Sequence, residues 1–251
     1  MLIWLVLIPL IAAALIGLCK APARPTALLS ASLTLALGIW ALVSFDGCSS
    51  CWSRFEGMDL QLTLAPALSK VMLLLTILVT FATVLGTNPP QGGEASWYNS
   101  ALLISAGATG AFLSDNIISF FAFHELALIP TFVMIGLYGR GDRRTTAWRA
   151  TLYLGLASMV LLAALLMIGT QAGFTFSGLK DFMASGRELA HAELIGALLI
   201  AGFGTLISLF PFHSWAAPAY ASAPAPVAMM HAGVLKKFGL YGLCLLYTSD
   251  A

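Results

Sequence analysis

The sequence predicts an all-α protein, a polytopic membrane helix bundle with about eight transmembrane helices and a broken seventh helix. Of its 251 residues, 59% are hydrophobic and only 9% are charged, whereas soluble domains carry about 25% charged residues. The apolar residues form runs close to the length of about 20 residues that a helix needs to cross a bilayer. These runs lack the alternating pattern of a transmembrane β-barrel. A bundle of helices, which satisfy their own backbone hydrogen bonds, is the fold that remains.

Each apolar run justifies one predicted helix. The first run has no positive segment before it and no small-residue cleavage site after it, so it is predicted to be a retained helix and not a signal peptide. Pro211 ends the seventh run, where it removes a backbone donor and breaks the helix. The runs are 2–18, 26–45, 66–86, 97–114, 116–138, 148–169, 193–211 and 225–247.

The polar stretches between the runs are too short to fold into a separate domain. They cover 46–65, 87–96, 139–147 and 170–192, and 177–184 in the last of them is predicted to form a short surface helix. No Gly-rich phosphate loop and no cysteine cluster of the iron–sulfur type occurs in the sequence. A net charge of +1 provides no basic field for nucleic acid.

Lys and Arg in the loops predict the orientation. Six of them follow the first, third, fifth and seventh helices, and four follow the second, fourth and sixth. The dense group Arg140–Arg149 is therefore placed in the cytoplasm. Both termini then lie outside an inner (cytoplasmic) membrane, as does the loop with Cys48 and Cys51. A disulfide and two free thiols are equally open for these cysteines, whereas a zinc site would need two more ligands.

Glu125 is the clearest functional candidate because it is a carboxyl in the middle of an apolar run. A charged side chain at mid-bilayer costs about 2.5–3.5 kcal/mol, so such residues usually face the bundle interior and have a role. Glu125 is predicted to take up and release protons, and a protonated, hydrogen-bonded structural Glu is the alternative. The adjacent His124 points about 100° away on a helix, and both a second proton station and a packing residue remain open for it.

Further titratable residues occur near the break and in the eighth run. His213 follows Pro211, and broken helices at membrane depth usually border a protein-lined or water-filled site. A capping histidine at the membrane surface is the alternative for His213. His231, Lys236 and Lys237 lie inside the eighth run, where only one of the two adjacent lysines is expected to face a cavity. A carboxyl, lysines and histidines on separate helices together predict a proton relay through the membrane.

Three segments resemble the antiporter-like subunits of respiratory complex I and of the multisubunit Na+/H+ antiporters. Asp115–Pro130 resembles the family's fifth helix, with its aromatic run, Glu and Pro. Phe210–Trp215 resembles the family's Pro-Phe-His-x-Trp at the end of a broken seventh helix. Ala219–Gly242 resembles the loop and eighth helix, with Ala-Gly-x-Leu-x-Lys-x-x-x-Tyr-Gly. The spacing of this Lys points to subunit M of NADH-quinone oxidoreductase.

The resemblance implies a fold of 14 helices with two inverted five-helix repeats. Residues 1–90 would hold three leading transmembrane helices and 91–251 the first five-helix repeat (helices 4–8), with the second repeat missing. A truncated coding sequence is the expected explanation.

The function implied is that of a proton-translocating membrane subunit of an NADH-quinone oxidoreductase, with other membrane subunits of the complex and the lipid bilayer as partners. The chain would hold no cofactor, because partner subunits would carry flavin and iron–sulfur clusters and quinone would bind elsewhere. The alternatives are an ion-translocating subunit of a multisubunit Na+/H+ antiporter and a non-conducting structural subunit.

The resemblance also implies residue roles. Glu125 matches the family's essential fifth-helix glutamate, Lys237 its eighth-helix relay lysine, and His213 the histidine after the helix break. His231 resembles a histidine at the head of the eighth helix, and Lys236 and His124 are secondary relay candidates.

Two positions and one short segment depart from the family pattern. Leu206 stands where the family has a lysine that pairs with the glutamate, and His124 replaces the usual Trp. The segment Ala216–Tyr220, Ala-Ala-Pro-Ala-Tyr, stands where Leu-Pro-Asp-Ala-His is common, so Tyr220 takes the place of His. The loss of the lysine favours the non-conducting alternative. Glu125 is expected to carry its own proton without a lysine contact, and His124 is not expected to fold back onto it.

Overall fold

The computed structural model describes residues 1–44, 49–52, 60–64, 67–89 and 92–247. These residues form eleven α-helices and one antiparallel pair of strands. A π-helical turn, His231–Leu235, joins the last two helices into one continuous rod. The elements are α1 (Leu2–Gly17), α2 (Ala23–Ser44), β1 (Ser49–Trp52), β2 (Leu60–Thr63), α3 (Ala67–Gly86), α4 (Glu94–Leu113), α5 (Ile117–Tyr138), α6 (Arg143–Ala172), α7 (Phe176–Ala184), α8 (Ala192–Leu206), α9 (Ala216–Ser222), α10 (Ala225–Met230) and α11 (Lys236–Tyr247).

The predicted membrane helix bundle is confirmed as a predominantly helical fold with membrane-type helices. Within the described residues, α2, α3, α5 and α6 are long and apolar enough to span a bilayer, and α1 and α8 are shorter apolar helices. Large apolar side chains stand exposed on the outer faces, among them Leu152, Leu156 and Ile129. A continuous apolar exterior of this kind suits lipid and not water.

The centre of the bundle is α4, which packs against α1, α3 and α5. From Ile104 to Leu113 every residue of α4 is buried. Small side chains make this possible, because they let neighbouring helix backbones approach closely. A Cβ atom on Gly107 would lie only 2.6 Å from the carbonyl oxygen of Phe123 on α5.

One end of the bundle is organised by Asp115, which precedes α5. Its backbone N–H donates to Gln61 O of β2 (2.9 Å), and its carbonyl accepts from Phe176 N at the start of α7 (2.8 Å). Its carboxylate accepts from Ser177 N (3.1 Å) and from Ser177 Oγ (2.6 Å). These bonds hold α7 at this end, and they confirm the surface helix predicted for 177–184.

At the opposite end of the bundle, hydrogen bonds link residues of three connecting segments. The N–H of Arg140 donates to Ser222 O (2.7 Å), and Ser222 Oγ donates back to Arg140 O (2.8 Å). Tyr138 Oη donates to Gly93 O (2.7 Å). The loops before α4, between α5 and α6, and between α9 and α10 therefore lie at the end away from β2 and α7.

Within the predominantly helical fold, a short hairpin lies in the stretch 46–65, which the sequence predicts to be a loop. β1 and β2 pair antiparallel, with Ser49 opposite Thr63. Leu62 and Leu64 alternate with polar neighbours and are fully buried, and Leu62 bridges to Ser114 at the end of α4. A strand of four residues is too short for its period-2 pattern to stand out in the sequence. The proposed disulfide between Cys48 and Cys51 lies outside what the structure describes.

The close approach of α4 and α5 makes Gly107 a test of the packing. Gly107→Ala would place a methyl group against the α5 backbone, and overpacking of this kind costs about 1–3 kcal/mol. We expect a lower thermal unfolding midpoint in detergent.

The matched control is Gly155→Ala on α6, where an added Cβ meets nothing within 4 Å. Ala is favoured over Gly in a helix by about 0.5–1 kcal/mol, so this variant should unfold at the same or a higher temperature. Equal midpoints for the two variants would show that the α4–α5 packing is wrong.

Candidate functional site

The helix that carries Glu125 is fixed at its start by a side-chain cap. Asn116 Oδ1 accepts from the backbone N–H groups of Ile118 (2.9 Å) and Ser119 (3.1 Å), which satisfies two donors that a helix start leaves free. Glu125 follows eight residues after Ile117, or about 12 Å along the helix axis. It therefore lies near the middle of α5, between its two loop ends.

Two side chains contact the same oxygen of the Glu125 carboxyl group. Ser158 Oγ, from the middle of α6, donates a short hydrogen bond to Glu125 Oε1. His124 Nδ1 lies 3.2 Å from that oxygen, which is within ion-pair distance, but the two atoms do not form a well-aligned hydrogen bond. The side chain of Glu125 is 31% exposed, whereas that of His124 is 1% exposed. The carboxyl group thus lies at the edge of the bundle and its partners lie inside.

The contact with His124 shows that one sequence expectation was wrong. The 100° between neighbouring Cβ atoms led to the expectation that His124 would not reach Glu125. The glutamate has two methylene groups, and rotation about their bonds brings its carboxyl group across to the imidazole. No lysine forms an ion pair with Glu125 in the part of the chain that the structure describes.

His124 also connects α5 to α11. Its ring stands edge-on to Phe238, with centroids 5.3 Å apart and an interplanar angle of 84°. Its Nε2 atom is buried and has no hydrogen-bond partner among the described residues. The ring therefore packs like an aromatic side chain, yet brings two nitrogen atoms into the interior.

A second polar cluster surrounds His231 in the π-helical turn. His231 is 5% exposed, and its Nδ1 lies 2.9 Å from Tyr220 Oη of α9. Its ring contacts those of Trp215 and Tyr220, with centroids 5.4 and 5.2 Å away. The break between α8 and α10 thus places aromatic side chains over this histidine.

Of the two adjacent lysines, Lys236 faces this cluster. Its Nζ lies 4.7 Å from the centroid of the Tyr220 ring and 5.8 Å from that of the Trp215 ring, within the range of cation–π attraction. Lys237, to which the resemblance assigns the relay role, is half-buried and forms no ion pair with any described residue. The π-helical turn shifts the phase of the helix just before the lysines, which the sequence pattern did not reveal.

The segment between α8 and α9 is held by one indole group. Trp215 Nε1 donates to Thr205 O at the end of α8 (3.0 Å), and Leu209 N donates to Gly204 O (2.7 Å). Ser208 adopts a left-handed backbone, with φ of 62°. The non-helical backbone that follows α8 therefore has hydrogen-bond partners within the protein.

His213 and Leu206 lie at this break. The contacts that they make are with residues other than Glu125. His213 is exposed, and its ring contacts Phe210 at 5.7 Å between centroids. Leu206 is buried, and its Cβ lies 3.5 Å from the position that a Cβ on Gly239 of α11 would occupy. An apolar contact with α11 thus stands where the family has its lysine.

The structure therefore contains two polar clusters inside the helix bundle. The first joins Glu125, His124 and Ser158, and the second joins His231, Tyr220, Lys236 and Trp215. Phe238 contacts His124 of the first cluster and follows soon after Lys236 of the second. No group of three or more His, Cys, Asp or Glu residues is arranged for a metal ion within the described ranges.

Sequence reasoning did not select Ser158 or assign a role to Tyr220. Ser158 is the one hydroxyl between Leu154 and Gly169 of α6, and its only signal in the sequence is that isolation. Tyr220 was noted as a departure from the family pattern. Its partnership with His231 depends on the break before α10, which spacing alone does not give.

Comparison with known proteins places these clusters in context. Residues 114–250 match the family described as NADH:quinone oxidoreductase/Mrp antiporter, transmembrane region. NAD(P)H-quinone oxidoreductase chain 4 2 of Microcystis aeruginosa is 34% identical over 185 residues, which cover 71% of this chain and 32% of that protein. The chain therefore spans about a third of the length of this curated relative.

Two solved structures have the same fold over nearly the whole chain. A chain of respiratory complex I from Thermus thermophilus with bound NADH superposes with a TM-score of 0.85 and 24% identity, covering 99% of this chain and 53% of that one. A chain of the Mrp complex from Dietzia sp. gives a TM-score of 0.83 and 22% identity, covering 99% of this chain and 28% of that one.

Fold and clusters together define a polytopic membrane protein that keeps titratable side chains inside its helix bundle. The match over more than half of the chain identifies it further. The chain belongs to the NADH:quinone oxidoreductase/Mrp antiporter transmembrane family, which confirms the resemblance read from the sequence.

The indole bond at the helix break can be tested by removing only its donor. Trp215→Phe keeps an aromatic ring over His231 but loses the N–H that reaches Thr205. Because Thr205 O also accepts from Ser208 N, we expect a loss of about 1 kcal/mol, the net value of one hydrogen bond. Thermal unfolding in detergent measures the change.

Trp148→Phe, at an exposed position of α6, is the control and should change the midpoint much less. A Trp215→Phe variant as stable as the native protein would show that the indole bond does not hold the segment.

Proposed function

We propose that this chain is part of a proton-translocating membrane subunit of an NADH-quinone oxidoreductase, a complex I-like assembly. The observation that carries the proposal is a carboxyl group at mid-helix, Glu125, held by Ser158 and His124 in a member of this family. The name of the Microcystis aeruginosa relative supports an NAD(P)H-quinone oxidoreductase.

The contacts of Glu125 suit a group that gains and loses a proton. A carboxylate is costly within a bilayer unless it is paired and hydrogen-bonded, and Ser158 and His124 both contact its Oε1. When the carboxyl group is protonated, the Ser158 hydroxyl can turn to accept a hydrogen bond, since it is both donor and acceptor. Both protonation states thus have a partner. The 31% exposure of Glu125 at the edge of the bundle leaves room for proton exchange.

In this proposal the second cluster continues the relay. His231 and Lys237 lie on the continuous rod from α10 to α11 and carry protons onward, and Lys236 supplies the charge next to His231. His213, exposed at the helix break, exchanges protons with groups outside the buried clusters. The His124–Phe238 contact brings the first cluster against the same rod.

The proposal includes an architecture. Eight helices would span the membrane, with α8 and α9 as the two halves of a broken seventh helix and the rod from α10 to α11 as the eighth. Residues 1–90 would supply three leading helices and 91–251 the first five-helix repeat, in an inner membrane with the N-terminus outside. Other membrane subunits would be the partners, and redox cofactors would reside in partner subunits.

One alternative has structural support of its own. The likeness to a chain of the Mrp complex favours an ion-translocating subunit of a multisubunit Na+/H+ antiporter. A further alternative, a non-conducting structural subunit, is favoured by Leu206, which packs on α11 where the family has its lysine.

Substitution of Glu125 separates the conducting functions from the structural one. Glu125→Gln in the complete protein and its complex keeps the side-chain shape but cannot bind a proton. We expect loss of most coupled proton movement in reconstituted vesicles, with the complex still assembled. Glu193→Gln, at an exposed position of α8, is the control and should pump as the native protein does.

Native proton pumping by Glu125→Gln would contradict the proposal. Proton movement that follows a sodium gradient and not NADH oxidation would favour the antiporter alternative instead.

Orientation is tested by placing single cysteines at the two ends of the bundle. Ser177 lies on α7 at the β2 end and Thr145 at the start of α6 at the other end, and both side chains are exposed. In a background without native cysteines, an impermeant thiol reagent on intact cells should label Ser177→Cys and not Thr145→Cys. The reverse labelling would invert the orientation.

A further inference from the structure

We propose that His124 is the positive partner of the Glu125 carboxylate, supplied from within α5 itself in a chain that carries Leu206 in place of a seventh-helix lysine. The inference concerns the same site as the proposed function and rests on it for the use of the pair in proton transfer. His124 would be a positioning residue, acting through the charge of Glu125.

The geometry of the pair carries the inference. His124 Nδ1 lies 3.2 Å from Glu125 Oε1, within the range of an ion pair. The imidazole is 1% exposed, and no described residue hydrogen-bonds either of its nitrogen atoms. A buried imidazole without other partners next to a carboxyl group gains most if the pair shares a proton, because each charge is then compensated.

Among the described residues, His124 is the one in ion-pair contact with Glu125. From α6 comes the hydroxyl of Ser158, and from α11 the ring edge of Phe238. On α4, Gly107 meets the α5 backbone at the neighbouring Phe123. Leu206 of α8 packs toward Gly239, and the Lys236 ammonium lies over the Tyr220 ring in the second cluster. Within the described residues, Nδ1 of His124 is therefore the nitrogen atom within ion-pair distance of the Glu125 carboxyl group.

The proton balance of the pair is simple. With one proton between them, the residues exist either as imidazolium and carboxylate or as neutral imidazole and carboxylic acid. The two forms differ in whether the proton is on Nδ1 or on Oε1, and the net charge is zero in both. Removal of this proton leaves a carboxylate with only the Ser158 hydroxyl, and addition of a second proton leaves an uncompensated imidazolium.

A partner on the same helix has a mechanical consequence. A lysine on another helix can leave the carboxylate when two helices move apart, whereas His124 and Glu125 stay together when α5 moves as a unit. Ser158 contacts the same Oε1 from α6. Relative motion of α5 and α6 would therefore change the hydrogen bond of the carboxyl group and leave its charge partner in place.

Infrared spectroscopy of the Glu125 carboxyl group tests the pair directly. The complete protein in its complex is measured at neutral pH, and the Glu125→Gln difference identifies the band. We expect a carboxylate band in the native protein, which replaces the expectation from the sequence that Glu125 carries its own proton. We also expect its replacement by a carboxylic-acid band in His124→Phe, which keeps the ring contact with Phe238 but has no nitrogen.

Two further variants separate charge from packing. His124→Gln retains a hydrogen-bond donor without a positive charge, so it should also shift Glu125 to the acid form, and it replaces His124→Phe if that variant fails to fold. His191→Gln, at an exposed histidine before α8, should leave the carboxylate band unchanged. A merely structural role of His124 would not move this band.

The inference is overturned if Glu125 is already the acid in the native protein, or if it remains a carboxylate in both His124 variants. Failure of the proposed function gives a different result. If Glu125→Gln pumps protons normally while the His124 variants shift the band, the pair stands and the function falls.

Discussion

The structure depends on the requirement that polar groups at membrane depth find their partners inside the protein. Water is missing there, and an unpaired buried polar group costs several kcal/mol. Buried side chains at helix ends meet a similar requirement, since Asn116 caps the start of α5 and the Trp215 indole holds the end of α8. The requirement at membrane depth explains why the Glu125 carboxyl group has partners on two helices. The same constraint that selects the fold thus shapes the candidate site.

Close helix packing fixes the positions of the side chains in the candidate site. The small residues of α4 let α5 approach until the Phe123 carbonyl lies where a side chain on Gly107 would start. α5 is therefore held against the core on one side, and Glu125 faces α6 on the other. The ring of Phe238 on α11 closes the position behind His124. Side chains that carry charge through a membrane need such fixed surroundings, because their energies depend steeply on distance.

Much of the fold and part of the site could be predicted from the sequence. The apolar runs indicate the helices because the length of each run matches the thickness of the bilayer. Glu125 stands out because a carboxyl group is costly there. The hairpin at Leu60–Thr63 could not be predicted, since its pairing joins short segments through long-range contacts. The π-helical turn changes the phase of the helix before Lys236, and an ideal helical period does not reveal this.

The error over His124 has a different origin. Spacing on a helix describes where Cβ atoms point, whereas a glutamate reaches well beyond its Cβ. Contacts between neighbours on one helix thus depend on rotamers, which the packing of Phe238 and Ser158 selects here.

The central claim is that the mid-membrane carboxyl group is held by α5 and α6 alone, without a lysine. An experimental structure of the complete protein in its complex at neutral pH tests this most directly. It should show Glu125 within about 4 Å of His124 Nδ1 and hydrogen-bonded to Ser158. A lysine ammonium in that position, with His124 turned away, would contradict the account.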